Sequence, residues 1–202
     1  MRSMWRFRTL ALLAALTCAT PFLLSRQAST SQPLAEPSNS TQGVPPTKGL
    51  VENGIYKNPS IRLEFTPAKG LRLKEPTMKG TPGTTPLIIS IQAETDPGAF
   101  YGLTVFIADA LAYYPEDQRN ASRYLLKVIR ANTADGFQQI DGKTSEQVNG
   151  ISFVRADFVK GQVHETVLVT TQNAYAYSFI FAGADIAVTD RLIASTNIKL
   201  NE

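Results

Sequence analysis

Few residues in this chain can do polar chemistry, and the most suggestive of them gather at one hairpin. There is one histidine, His164, and one cysteine, Cys18. That excludes a multi-histidine metal site and an internal disulfide. No Gly-rich phosphate loop, Walker lysine motif, CxxC, HExxH or G-x-S-x-G elbow occurs. Most nucleotide, zinc, thiol and serine-hydrolase chemistries are therefore removed, and no cofactor is implied. Lys160-Gly161 reads as a two-residue turn between strands over Ile151–Val159 and Gln162–Thr171. In that register Asp157 faces His164 and Arg155 faces Thr166, all on one sheet face. A carboxylate beside an imidazole fixes its tautomer, as a general base or pH sensor requires. Two readings stay open: a hydrolase-type site of Asp157, His164 and Arg155, or a polar patch that satisfies itself through salt bridges.

A second set of residues suggests binding. Arg119, Arg123, Lys127 and Arg130 recur at spacings of four, four and three. On a helix they fall within about 80° of arc, a cationic stripe for an anionic headgroup or acidic partner, or simply a solvated face. Asp109, Tyr113 and Tyr114 lie in the connection before that helix, where loops often line a site. The two tyrosines also suit helix packing. Glu94 and Asp96 are too few to hold calcium and read as turn polarity.

These residues need elements to hold them. Ile61, Leu63 and Phe65 alternate with polar residues, as a half-buried strand does. Pro67 to Gly70 turns the chain into a short strand at Leu71 and Leu73, and 75–86 is a Pro/Gly/Thr loop. Leu87–Ile91 and Phe100–Ile107 read as strands around an Asp96-Pro97-Gly98 turn. A helix is expected over 115–131, with Pro115 first, Ala121, Tyr124, Leu125 and Val128 inward, and Asn132 and Gly136 ending it. After the hairpin, Gln172-Asn173 turns into a strand over Ala174–Ala182. Asp185 caps a helix over 186–195, and Ile198–Leu200 closes the chain as a strand. Several strands are apolar on both faces, which a sheet covered on both sides requires. The expected fold is α/β of the α+β type: a three-layer α/β/α sandwich on a mainly antiparallel sheet, ordered hairpin, helix, three-strand meander, helix.

Charge then separates the chain into parts. The formal net charge is +3. Residues 1–25 hold Arg2, Arg6 and Arg8 and no acid, and 49–202 hold 15 basic and 16 acidic residues. The basic excess thus belongs to the N-terminal segment and its flank, so a nucleic-acid partner loses its support. Arg2 to Arg8 followed by 15 uncharged residues, Leu10–Leu24, reads as an export leader. It is either a cleaved signal peptide, an uncleaved anchor, or a lipidation signal at Cys18. Residues 26–48, rich in Ser, Thr, Pro and Gln, form a flexible tether. A single globular domain over 49–202 follows. The expected location is periplasmic or extracellular, with membrane contact only through an uncleaved leader.

The element order resembles the fold shared by the PsbP-like extrinsic proteins of photosystem II, a Ran-binding nuclear import factor, and exported bacterial proteins of unassigned role. The resemblance spans roughly 53–202. It rests on Gly54-Ile55-Tyr56-Lys57-Asn58-Pro59 with Pro67 and Gly70, on the central helix, and on Asn149-Gly150-Ile151-Ser152-Phe153 with the closing helix before Ile198. Tyr113 to Arg119 resembles the exported bacterial proteins in particular. Many members carry Gly-Trp after the first strand, where this chain has Gly70-Leu71. The resemblance implies an accessory or binding role toward a protein or envelope component, with the cationic stripe and Tyr113/Tyr114 as its surface, rather than a shared catalytic act. The alternatives are the hydrolase above and a membrane-anchored structural envelope protein.

Overall fold

A computed structural model describes residues 47–80, 88–95 and 102–201, with Tyr113 described in its backbone alone. The leader, nearly all of the tether and the Asp96-Pro97-Gly98 turn lie outside the described residues. In chain order the elements are β1 (Leu50–Glu52), β2 (Ile55–Asn58), β3 (Leu63–Thr66), β4 (Arg72–Leu73), β5 (Thr77–Lys79), β6 (Ile88–Glu94) and β7 (Leu103–Ala110). Then come α1 (Ala121–Ala134), β8 (Gln138–Ile140), β9 (Ser145–Val148), β10 (Ile151–Lys160), β11 (Val163–Gln172), β12 (Tyr175–Gly183), α2 (Ile186–Ser195) and β13 (Asn197–Leu200). The fold is mixed α/β and sheet-rich. One sheet runs β1-β2-β3-β13; the larger runs β4-β6-β7-β12-β11-β10-β8, with β5 on β6 and β9 on β10. Every described pairing is antiparallel.

The larger sheet is apolar on both faces because both are covered. On one face Phe106, Phe153, Phe179 and Phe181 meet Tyr56, Phe65 and Ile198 of the smaller sheet and Leu192 of α2. The rings of Phe106 and Phe179 lie 4.9 Å apart at the centre of this core. On the other face Phe158, Val167 and Val169 pack beneath Tyr124 and Leu125 of α1.

Three local departures from the expected elements bear on function. The β10–β11 turn is Gly161-Gln162, so Lys160 stays in the ladder opposite Val163. Gly161 takes the left-handed conformation (φ 59°) at the first loop position instead of the second. Moving the turn by one residue moves each cross-strand partner by two, which preserves the faces but changes the pairs. Asp157 now faces Thr166, His164 faces Val159, and Arg155 faces Leu168.

The central helix begins at Ala121 instead of residue 115. Asn120 accepts a hydrogen bond from the Arg123 N–H (3.0 Å) and so caps it, and Glu116–Gln118 forms a separate 3-10 turn. The helix also runs on to Ala134, past the expected end. Finally, Pro59–Ile61 forms a 3-10 turn capped by Asn58, so β3 starts only at Leu63. The closing helix matches its expected span, with Asp185 accepting from the Val188 N–H at 2.8 Å.

Candidate functional site

Arg155 organises a polar cluster on the α2 side of the larger sheet. It is placed by β10, two residues from Asp157 on the same face. Its Nε donates to both Asp157 oxygens at 3.0 and 3.1 Å. Two further carboxylates lie 2.8 Å from its Nη1: Glu146 from β9 and Asp190 from α2. Asp157 also accepts from Thr166 Oγ1 (2.7 Å), which sits 2.9 Å from Thr189 Oγ1 of α2. A Cβ added at Gly142 would collide with Asp157 Oδ2, so the β8–β9 loop lies directly over that carboxylate. Burial disfavours the Arg155 charge, but the hydrogen bonds and attraction of Asp157 and Asp190 outweigh it and raise its pKa. The cluster ties β9, β10, β11 and α2 together, although Asp190 Oδ1 meets Arg155 only as an ion pair and has no hydrogen-bond partner among the described residues.

His164 lies one step along the same face, with Nδ1 3.0 Å from the Ala184 carbonyl oxygen. The structure therefore brings Arg155, Asp157 and Thr166 together as expected, but gives the Asp157 carboxylate to Arg155 and Thr166 rather than to His164. A cleft of about 350 Å³ opens beside the cluster, lined by Lys143, Glu146, Gln147, Asn149 and Asp190 among others.

A second polar cluster occupies the opposite face, beneath α1. Asp109, near the end of β7, has a side chain 1% exposed. Its Oδ2 accepts from Tyr114 Oη (2.5 Å), Tyr124 Oη (2.8 Å) and Lys127 Nζ (3.2 Å). Lys127 Nζ also donates to Tyr114 Oη. It stands 4.5 Å from the Tyr114 ring centroid and 5.1 Å from that of Tyr124. The two rings meet edge to face at 74°. Burial first, then the Asp109 carboxylate, pushes both phenols well above the ordinary tyrosine value. Asp109 Oδ1 is buried and has no hydrogen-bond partner among the described residues.

This cluster corrects the expected cationic stripe. Lys127 turns in because a buried carboxylate at Asp109 demands a counter-charge. Arg119 precedes the helix and lies on backbone carbonyls, with Nε 2.8 Å from Tyr114 O and Nη2 3.5 Å from Ala112 O. Arg123 and Arg130 stay exposed. Tyr114 joins the cluster; the Tyr113 side chain lies outside the described residues. Tyr124 packs inward as expected, and its hydroxyl donates to Asp109 within the cluster. Asp109 was expected in the connection before the helix, but β7 runs on to Ala110 and includes it; a lone Asp at the end of an apolar strand is the signal that could have found the cluster.

Beside this cluster lies a cleft of about 330 Å³ between Leu111, Ala112 and Arg119 on one side and Thr171–Ala174 on the other. The β11–β12 turn that forms its far wall is Asn173-Ala174, both left-handed (φ 50° and 62°). The Ala174 carbonyl accepts from the Leu111 N–H at 2.8 Å, which binds the two walls together. An alanine in that conformation is strained, a common property of functional turns.

Glu165, on β11 and also under α1, is buried and accepts from Asn132 Nδ2 at 2.5 Å. Burial pushes its pKa up to about 7, with a smaller upward contribution from Asp135 against the lowering effect of Asn132. Glu94 is paired with Lys74 at 2.7 Å, and Asp96 lies outside the described residues. Among the described residues no group of three or more His, Cys, Asp or Glu could hold a metal ion, and no helix is long and apolar enough to cross a membrane. No protein-family model matches the sequence, and no curated protein or solved structure matches it either.

Proposed function

We propose that this chain is an exported, non-catalytic binding or accessory module with the three-layer α/β/α architecture of the PsbP-like fold, its meander formed by β10, β11 and β12. The antiparallel order of those strands and the covering of both sheet faces support the fold reading. The cationic, uncharged-run N-terminus supports export. One observation carries the binding reading: the cleft at the β7–α1 connection. It is walled by a strained turn, floored by Leu111 and Ala112, and bordered by an anchored Arg119.

Arg119 spends two of its nitrogens on carbonyls, which fixes the plane of the guanidinium and leaves donors for an incoming acidic group. The ligand is accordingly an acidic feature of a protein or envelope component. The polar hairpin cluster around Arg155 is read as structural, because all three of its carboxylates are paired with the one buried guanidinium.

Crosslinking and recovery of the native exported protein, run in parallel with an Arg119→Glu variant, tests this. The proposal expects a specific partner with the wild-type chain that is lost with the variant. Recovery of no specific partner, or of the same set from both proteins, would overturn it. The N-terminal residue of the recovered protein separates the cleaved from the anchored form.

A further inference from the structure

We propose that Tyr114, Tyr124 and Asp109 form a recognition cage for a primary alkylammonium group, and that Lys127 is its tethered occupant. The inference goes beyond the cleft reading and stands on different residues. The cage has the parts such a site needs. A cation within about 6 Å of an aromatic centroid is attracted to the ring face, and two rings at an angle enclose it from two sides. Here the Lys127 nitrogen lies 4.5 and 5.1 Å from two such centroids. A carboxylate supplies the counter-charge at 3.2 Å. Tyr114 accepts from the ammonium while donating to Asp109, so its hydroxyl relays the charge between them.

The two ends of the ion pair are held very differently. The Asp109 side chain is 1% exposed, and two phenols fix it. The Lys127 side chain is 39% exposed and reaches in from the surface of α1 along a flexible four-carbon stem. The carboxylate cannot leave, whereas the ammonium can. Asp109 Oδ1 is also buried with no partner among the described residues, so the site holds more acceptor capacity than Lys127 uses. Departure of Lys127 would leave a buried, negatively charged, aromatic-walled space shaped for the terminal carbons and nitrogen of an amine. The ligand class is a primary alkylammonium, either the side chain of a partner lysine or a free amine.

Truncation to Lys127→Ala empties the cage of three methylenes and the ammonium, which n-propylammonium replaces. The test follows thermal unfolding of the full chain carrying Lys127→Ala across a series of n-propylammonium chloride, with sodium chloride and 1-propanol series as controls. The proposal expects a saturable rise in the melting midpoint with the amine alone, about 3–6 °C at ten times its dissociation constant. Wild-type protein, whose cage is filled, should show at most a small part of that rise. Nα-acetyl-lysine methylamide is run beside it. Rescue at tenfold or more lower concentration than propylammonium identifies a peptidyl lysine as the source, and equal or weaker rescue identifies a free amine.

A flat response to both amines, or a rise that sodium chloride or 1-propanol reproduces, would overturn the proposal. If Lys127→Ala does not fold in buffer alone, the same series is read as refolding yield by tyrosine near-ultraviolet circular dichroism. A yield that stays flat across the amines overturns it equally. The amine series leaves Arg119 intact and the partner recovery leaves Lys127 intact, so failure of the cleft reading and failure of the cage are told apart.

Discussion

The two faces of the larger sheet each carry a polar cluster, and the clusters are built on opposite plans. On the α2 face, a guanidinium whose side chain is 1% exposed is surrounded by Asp157, Glu146 and Asp190, and a loop covers the Asp157 carboxylate. On the α1 face, the buried member is the carboxylate of Asp109, and its counter-charge arrives from the surface on a lysine 39% exposed. The first cluster joins four elements and leaves its arginine no freedom. Each keeps one buried carboxylate oxygen without a hydrogen-bond partner among the described residues, Asp190 Oδ1 in the first and Asp109 Oδ1 in the second, but the second adjoins a cleft with a strained wall. The difference teaches that a buried charge cluster can serve as a clamp or as a site. What separates the two is that the first holds its buried ion with three counter-charges, whereas the second relies on one lysine carried on a flexible stem.

Removing the central cation should expose that difference first. Arg155→Ala leaves Asp157 buried without its partner, which costs about 3–5 kcal/mol. Lys127→Ala also leaves a buried carboxylate, but two phenols still donate to Asp109 and the lost cation was partly solvated, so the cost is about 1–2 kcal/mol. Urea unfolding of both variants checks this, and equal losses would erase the distinction between clamp and site.

The next effect concerns pH. Glu165 has a folded pKa near 7, above its ordinary value of 4.5. The native state therefore binds its proton more tightly than the unfolded state does. The associated stability is fully present below about pH 4.5 and is lost as pH rises through 7. The loss is up to about 3 kcal/mol, the free-energy equivalent of that pKa difference. Glu165→Gln keeps an acceptor for Asn132 and removes the titration. Urea midpoints of the variant should stay level across that window while those of the wild type fall. Parallel curves would show that α1 is not seated on a neutral Glu165.

The cleft wall gives a smaller effect of opposite sign. Ala174→Gly relieves a left-handed alanine and should stabilise the protein by about 0.5–1 kcal/mol after the added chain entropy of glycine is subtracted. If stability falls instead, the turn is not a store of strain.

The smallest effect belongs to His164. Its Nδ1 lies against the Ala184 carbonyl, so His164→Gln should change stability by less than about 0.5 kcal/mol. Partner recovery with that variant should be unchanged between pH 5 and 8. A lost or pH-altered partner would move the site to the hairpin.

Strong local signals made much of this architecture legible in the sequence. Asp185 and the run after it mark α2 from end to end, because the cap and the apolar spacing act within a few residues. β10, β11 and β12 lie within a residue of their expected limits, because runs of nine or ten residues rich in strand formers are bounded by clear turn residues. Among short elements, the strands at Arg72–Leu73 and Asn197–Leu200 were legible, but others were not. β8 and β9 span three and four residues with little burial, too brief for any periodicity to register. The start of α1 was misjudged because Pro115 and Asn120 both suit a helix entry, and the Asn120 side-chain bond decides between them.

For the sites, sequence assembled Arg155, Asp157 and Thr166 on one face, since face depends only on parity. It paired Asp157 with His164 wrongly, since pairing depends on which turn residue takes the left-handed conformation. The capture of Lys127 by Asp109, eighteen residues away, left no local trace beyond the oddness of a carboxylate in an apolar strand.

The sharpest test of the contrast places a photocrosslinking residue in each cleft of the full chain. Ala112 and Gln147 are both exposed, one beside Arg119 and the other beside Asp190. A specific adduct formed from position 112 and absent from position 147 is the result expected if the α1 face is the site and the α2 face the clamp. An adduct from position 147 alone, equal adducts from both, or none from either would contradict it.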